Sequence, residues 1–191
     1  MSQLLKTKGK LIGTNWFARP ALTVAPELLG KVLVRQLATK TWRYRITEVE
    51  AYCGVTDLAC HASRGKTKRT EVMFGPAGRI YVYLIYGMYH CLNLVTAGAG
   101  EAEAVLIRSV EPLFATNQTP VGPGRLGREL NIGSELNGQK LGRWSGLWIE
   151  DDGYQIKSGE LGQSARRGID YAKDYASKPW RFYLNNSEFI S

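Results

Sequence analysis

The stretch Arg79-Ile-Tyr-Val-Tyr-Leu-Ile-Tyr-Gly-Met-Tyr-His-Cys-Leu-Asn-Leu-Val-Thr96 sets two runs of β-branched and aromatic residues on either side of a single Gly87. Residues 79–84 and 90–96 each have the composition of a strand, and Gly87 marks a hairpin turn between them. Tyr81 and Tyr83, two positions apart, share a strand face on which a flat ligand can stack. Tyr86 falls near the tip, where a large ring has little core to enter and can act as a wedge between base pairs. A strand whose tyrosines pack inward with wet hydroxyls would show the same four rings, counting Tyr89. The cluster alone does not choose between these readings.

Outward from the hairpin, the chain is punctuated in the same way. A short helix is expected over residues 25–29, ended by Gly30. Strands follow over 31–37 and 42–52, the second placing Trp42, Tyr44 and Ile46 on one face. Residues 55–78 are polar, basic and Gly-bearing and read as a long ordered loop that carries function. Further strands are expected at 104–110 and 181–184, a helix from Gly122-Pro123-Gly124 through Leu130, and a hairpin over 148–156 turning at Asp152-Gly153. A last helix over 169–176 must stop before Pro179. Strands dominate and are joined mostly by hairpins. The expected fold is therefore α+β: a single domain built on a curved, mostly antiparallel β-sheet, with a protruding β-hairpin and short surrounding helices. Residues 1–13 are expected to be a mobile basic segment.

The net charge is +8, and residues 1–45 hold nine Lys or Arg against the single acid Glu27. A second basic cluster is Arg64, Lys66, Lys68 and Arg69. Such a surplus suits a polyanionic partner, yet a solvated basic face gives the same count, so charge does not decide. No apolar run reaches the ~20 residues of a membrane helix, and residues 1–10 lack the apolar core of a secretory signal. The expectation is an intracellular protein (cytoplasm and nucleoid, or nucleus) with no membrane partner. Cys53, Cys60 and Cys91 cannot all pair, and in such a compartment they stay reduced. Cys60 beside His61, with His90 as the only other imidazole, fits no standard zinc spacing, so no metal is expected.

Chemistry enters with Glu48-Val-Glu50-Ala-Tyr52. If the strand is regular, Glu48, Glu50 and Tyr52 share the face of Trp42, Tyr44 and Ile46. A carboxylate at the end of an apolar face needs a pocket or a cation, which is the situation of a general base beside a cleft. Pairing with Arg43 or Arg45, or a place past the end of the sheet in water, is the structural alternative. His61 sits among cations in the long loop, an odd place for a core residue, and so joins the candidates. Gly122-Pro-Gly124 with Arg125 and Arg128 could present amides to a phosphate, but is mainly turn chemistry.

Taken in order, Arg45-Ile-Thr-Glu-Val-Glu-Ala-Tyr52, Cys60-His-Ala-Ser63, and the run from Met73 through the hairpin to Asn93 closely resemble the alkyladenine (3-methyladenine) DNA glycosylase family. Ala104-Val-Leu-Ile-Arg-Ser-Val-Glu-Pro112, Gly122-Pro-Gly-Arg-Leu126 and Lys178-Pro-Trp-Arg-Phe-Tyr183 extend the likeness over nearly the whole chain. The resemblance implies a base-excision-repair enzyme that flips damaged purines (3-methyladenine, 7-methylguanine, hypoxanthine, ethenoadenine) out of duplex DNA and hydrolyses the glycosidic bond, leaving an abasic site.

Position by position, it implies that Glu50 deprotonates the attacking water and that Arg108 lies near that water and the target phosphate. Tyr52, His61 and Tyr83 would sandwich the extruded base, and the amide of Asn93 would reject guanine. Tyr86 would fill the gap left in the duplex. Neither metal nor organic cofactor is implied, and a monomer acting on duplex DNA is expected. Two alternatives stay open from the residues themselves: a glycosylase/lyase using a lysine Schiff base, with Lys66 and Lys68 near in sequence, or a non-catalytic DNA- or RNA-binding module.

Overall fold

A computed structural model describes residues 9–191. In chain order its regular elements are β1 (Lys10–Leu11), α1 (Ala21–Leu28), β2 (Val32–Leu37), β3 (Lys40–Cys53), β4 (Ile80–Ile85), β5 (Tyr89–Thr96), β6 (Glu103–Pro112), α2 (Pro123–Glu129), β7 (Leu147–Asp151), β8 (Leu161–Ser164) and β9 (Arg181–Leu184). One antiparallel sheet runs β1-β7-β2-β3-β6-β5-β4, and β8 and β9 join it through β3. The fold is α+β in a single domain, as expected. Among the described residues no helix is long and apolar enough to cross a membrane. Residues 1–8 of the expected mobile segment lie outside the described residues, while Lys10 and Leu11 pair with Asp151 and Glu150 of β7.

The long strand β3 organises the sheet. Its first half pairs with β2, its second half with β9, and its other edge follows β6. The pairing with β6 is irregular around Glu48. Before it the core takes Tyr44 and Ile46; after it the core takes Val49 and Ala51. On β6 the same change separates Val105 and Ile107 from Val110. An irregularity of this kind re-aims the side chains that follow it. Glu50 and Tyr52 therefore do not share the face of Tyr44 and Ile46. They lie on the opposite side, which corrects the expectation from simple alternation.

The core face, with Ile80, Val82, Leu92 and Leu94 from the hairpin strands, packs against Val24 and Leu28 of α1 and Leu126 of α2. The first helix begins at Ala21, not near residue 25, because Glu103 accepts a hydrogen bond from the Ala21 amide at 2.6 Å across 82 positions. Gly127 lets α2 lie directly on β5: a Cβ there would meet the His90 carbonyl oxygen. Two other expectations fail. Residues 148–156 do not form a hairpin, because Asp152 turns away to pair with Arg45, whose guanidinium also covers the Tyr154 ring. Residues 169–176 form a kinked 3₁₀ segment, Asp170–Tyr175, broken at Lys173 with φ 51°.

Candidate active site

The face of the sheet turned away from the main core lines a cavity of about 180 Å³. Register builds its floor: Tyr81 pairs with Asn93 and Asn93 with Leu106, whose partner on β3 is Glu50, one row across four strands. The next rows add Tyr52 and Ala104, and Tyr83 and Cys91. The loop between β3 and β4 is ordered as a chain of 3₁₀ turns and contributes His61, Arg69 and Met73 as one wall. A segment after β8 contributes Arg167, Gly168, Ile169 and Tyr171 as another. The sequence reading missed that segment, whose only signal is the doublet Arg166-Arg167 before Gly168.

Glu50 is fully buried directly behind the cavity wall. Its Oε2 accepts from the Tyr52 hydroxyl at 2.8 Å, and its Oε1 accepts from the Arg167 backbone N–H at 2.8 Å. Arg108 Nη1 stands 3.2 Å from the same Oε1. Three donors of fixed direction thus orient one carboxylate. Arg43 and Arg45 pair instead with Glu150 and Asp152, and both glutamates are buried, so neither structural alternative raised for them applies. Glu48 faces the other edge of Arg108. Burial would raise its carboxyl, but Ser109, Arg108, the Ser191 amide and Arg181 outweigh burial and hold it below the usual range.

The rings around the cavity are locked to one another. The His61 Nδ1 lies 2.9 Å from the Tyr81 hydroxyl, and its ring meets Tyr83 edge-on at 4.6 Å. Burial, with Arg69 and Arg64 beside it, pushes the imidazole down to about 4, so it is neutral near pH 7. Burial also raises the Tyr52 and Tyr83 phenols well above their ordinary value, and both stay protonated. Arg166 stacks on Tyr52 at 4.7 Å and on Trp180 at 4.9 Å while its buried guanidinium grips both oxygens of Asp57. Asn93 donates both amide hydrogens to the carbonyls of Tyr81 and Cys91, which fixes which way round its amide sits.

Six of the seven candidates, Glu50, Tyr52, His61, Tyr83, Asn93 and Arg108, therefore converge on one place. Tyr86 does not enter the cavity. It sits at the hairpin tip, 82% exposed, next to Ile85 at the cavity rim and Met88, itself 65% exposed. Tyr86 and Gly87 have φ of 53° and 69°, the paired positive angles of a type I′ turn. The Met88 amide closes that turn onto Ile85. Arg125 and Arg128 lie away from the cavity on α2, of which only Pro123 reaches it.

Residues 15–188 match the model of a family described as methylpurine-DNA glycosylase. A protein of Methanocella arvoryzae named "Putative 3-methyladenine DNA glycosylase" is 45% identical over 190 residues, covering 93% of this chain and 94% of its own. Proteins of the same name from Legionella pneumophila (strain Corby) and Myxococcus xanthus are each 44% identical, covering 92% and 93% of this chain and 95% and 91% of theirs. A family match over nearly the whole chain, on a fold that gathers a buried carboxylate and an aromatic cavity, leads to one conclusion: the chain belongs to the methylpurine-DNA glycosylase family, hydrolases of the N-glycosidic bond in DNA.

Proposed function

We propose that the protein excises damaged purines, among them 3-methyladenine, 7-methylguanine, hypoxanthine and ethenoadenine, from duplex DNA by base flipping and direct hydrolysis. The observation that carries this reading is the carboxylate of Glu50, fixed by Tyr52, Arg108 and the Arg167 amide directly behind the wall of a cavity lined by flat rings. The cavity exceeds the ~150 Å³ that accommodates a benzene ring. It suits one extruded base and excludes a base pair.

Extrusion costs roughly a few kcal/mol in lost stacking and pairing. Tyr86, standing clear of the hairpin, fills the vacated position and slows the base's return. Inside the cavity a cationic alkylated purine stacks against Tyr52 and Tyr83, a contact worth on the order of 0.5–2 kcal/mol. His61, neutral near pH 7, supplies a hydrogen bond and not a proton. The Asn93 amide, its nitrogen held by two carbonyls, cannot swing aside and so crowds the exocyclic amino group of an undamaged guanine; 7-methylguanine bears the same group and is released because its cationic ring is a good leaving group. As the glycosidic bond lengthens, positive charge grows on the sugar. Glu50 stabilises that charge and takes the proton from the attacking water, while Arg108 faces the water and the target phosphate. Among the described residues no lysine lines the cavity, which supports water as the nucleophile over a Schiff base. The reading takes the chain as a monomer needing no cofactor, with residues 1–191 as one functional unit.

The test is base release from a duplex carrying one hypoxanthine or one ethenoadenine. Native protein is expected to release the base and leave an abasic site. Glu50→Gln is expected to lose at least about a hundredfold in single-turnover rate, within the span general-base catalysis supplies, while keeping DNA affinity. Equal rates in the two proteins remove Glu50 from its role. Borohydride trapping of a protein–DNA adduct would replace hydrolysis with the lyase route.

A further inference from the structure

Arg108 is a planar fork with two edges, and only one of its nitrogens meets Glu50. The opposite edge is held from behind. Its Nε donates to Glu48 Oε1 at 3.0 Å, and its Nη2 donates to the side-chain hydroxyl of Ser191 at 3.0 Å. That hydroxyl has one proton, and it lies 2.8 Å from Glu48 Oε2. Ser191 Oγ thus donates to Glu48 and accepts from Arg108, closing a ring of three side chains. The Ser191 main chain is anchored as well: its N–H donates to Glu48 at 2.7 Å, and its main-chain oxygen accepts from Arg181 at 2.6 Å. Thr47, at the irregular point of β3, donates to Phe189 of the same tail. The tail after β9 therefore runs back under the site and reaches its charged layer.

We propose that Ser191 is a positioning residue for catalysis: its hydroxyl, with Glu48, clamps the rear edge of Arg108 so that Nη1 is held toward Glu50 and the attacking water. This rests on the reading of Glu50 as the base. Rotation about the Nε–Cζ bond leaves the Nε donor in place on Glu48 but carries Nη2 away from Ser191, so the Ser191 hydroxyl is the grip that resists it. With the hydroxyl gone, Nη2 loses its partner, Glu48 loses one of its donors, and the plane is free to turn Nη1 away from Glu50. The main-chain contacts of residue 191 do not depend on the hydroxyl, so a single-atom change separates the clamp from the anchoring of the tail.

The experiment compares Ser191→Ala and Ser191→Thr with the native protein by two readouts. The first is single-turnover base release with separately measured DNA affinity. Ser191→Ala is expected to lose roughly ten- to hundredfold in rate, the size of effect that misplacing a reacting group by about 1 Å produces, with affinity unchanged. Ser191→Thr restores the hydroxyl and most of the rate. The second is the ¹⁵N-resolved NMR signal of the Arg108 guanidinium in the protein without DNA. Restricted rotation gives separate Nη signals in the native and Thr proteins, and the Ala protein averages them. An Arg108 spectrum unchanged by Ser191→Ala overturns the proposal, as does a Thr variant as slow as the Ala variant, or a loss confined to DNA affinity. Native protein that releases no purine at all would sink the glycosylase reading, and the NMR comparison would still decide the clamp by itself.

Discussion

Glu48 and Glu50 are two positions apart and both fully buried, yet they meet different partners. Glu48 is saturated by Arg108, Ser109, Arg181 and Ser191, a carboxylate whose task is to hold cations in place. Glu50 meets Arg108, one phenol and one amide just behind the cavity wall. His61 shows how burial sets a residue's chemistry in a way that can be measured. Its folded value is about 4 against an ordinary 6.5, so below pH 6.5 the unfolded chain binds a proton that the folded chain refuses. The stability tied to its neutral form is complete above pH 6.5 and is lost as the pH falls toward 4. Melting temperature followed by calorimetry should therefore drop more steeply from pH 6.5 to 4 in the native protein than in His61→Gln, by a few degrees across the window. Parallel curves for the two proteins would show that His61 titrates normally. The sequence shows Glu50 and His61 as candidates, but not Arg166, whose grip on Asp57 and stacking on Tyr52 join residues more than a hundred positions apart.

At the scale of elements, what was legible followed local rules. The hairpin of β4 and β5, the strands β2, β6 and β9, and the helix opening at Gly122-Pro123 each announce themselves by composition or turn residues. What was not legible depended on distant partners. The face on which Glu50 lies changed at an irregularity shared by two strands, and nothing in the alternation of β3 alone reveals that. The strand β8, Leu-Gly-Gln-Ser, carries no period of its own and is a strand because β9 pairs with it. The hairpin tip is the element whose reading is most open to experiment. Leu84, Tyr86 and Met88 are exposed on it without a partner surface among the described residues, so their apolar area is available to duplex DNA. Tyr86→Ala should slow base release from a fully paired duplex on the order of tenfold, because the flipped base returns to an empty gap. The loss should be smaller on a substrate whose target base is already unpaired. Equal losses on both would show that the ring serves the fold of the hairpin and not the opening of the duplex.

For the molecule as a whole, the surplus of positive charge has to be located before it can be assigned to DNA. Among the described residues, the basic N-terminal part is largely spent within the fold. Arg19, Lys31, Arg43 and Arg45 pair with Glu27, Asp151, Glu150 and Asp152, and Arg35 is buried against the carbonyls that end α2. Two exposed cations line the cavity, Arg69 on the long loop and Arg167 on the opposite wall, and Arg64, Lys66 and Lys68 are exposed on the same loop as Arg69. The loop is not loose: the Thr70 hydroxyl accepts from the Thr67 amide and donates to the Gly65 carbonyl, so the charges ride on a fixed frame whose inner side carries His61. Cations held around a cavity mouth position a phosphate backbone without reading bases. Each phosphate neutralised contributes about 0.9 to the slope of log affinity against log salt. Lys66→Ala with Lys68→Ala should therefore weaken binding to damaged and undamaged duplex alike and flatten that slope by about 1 to 2, leaving the ranking of excised bases unchanged. A slope equal to the native one would move the DNA path off this loop, whereas an altered ranking of bases would mean that the loop's charges reach into the cavity and take part in choosing the purine.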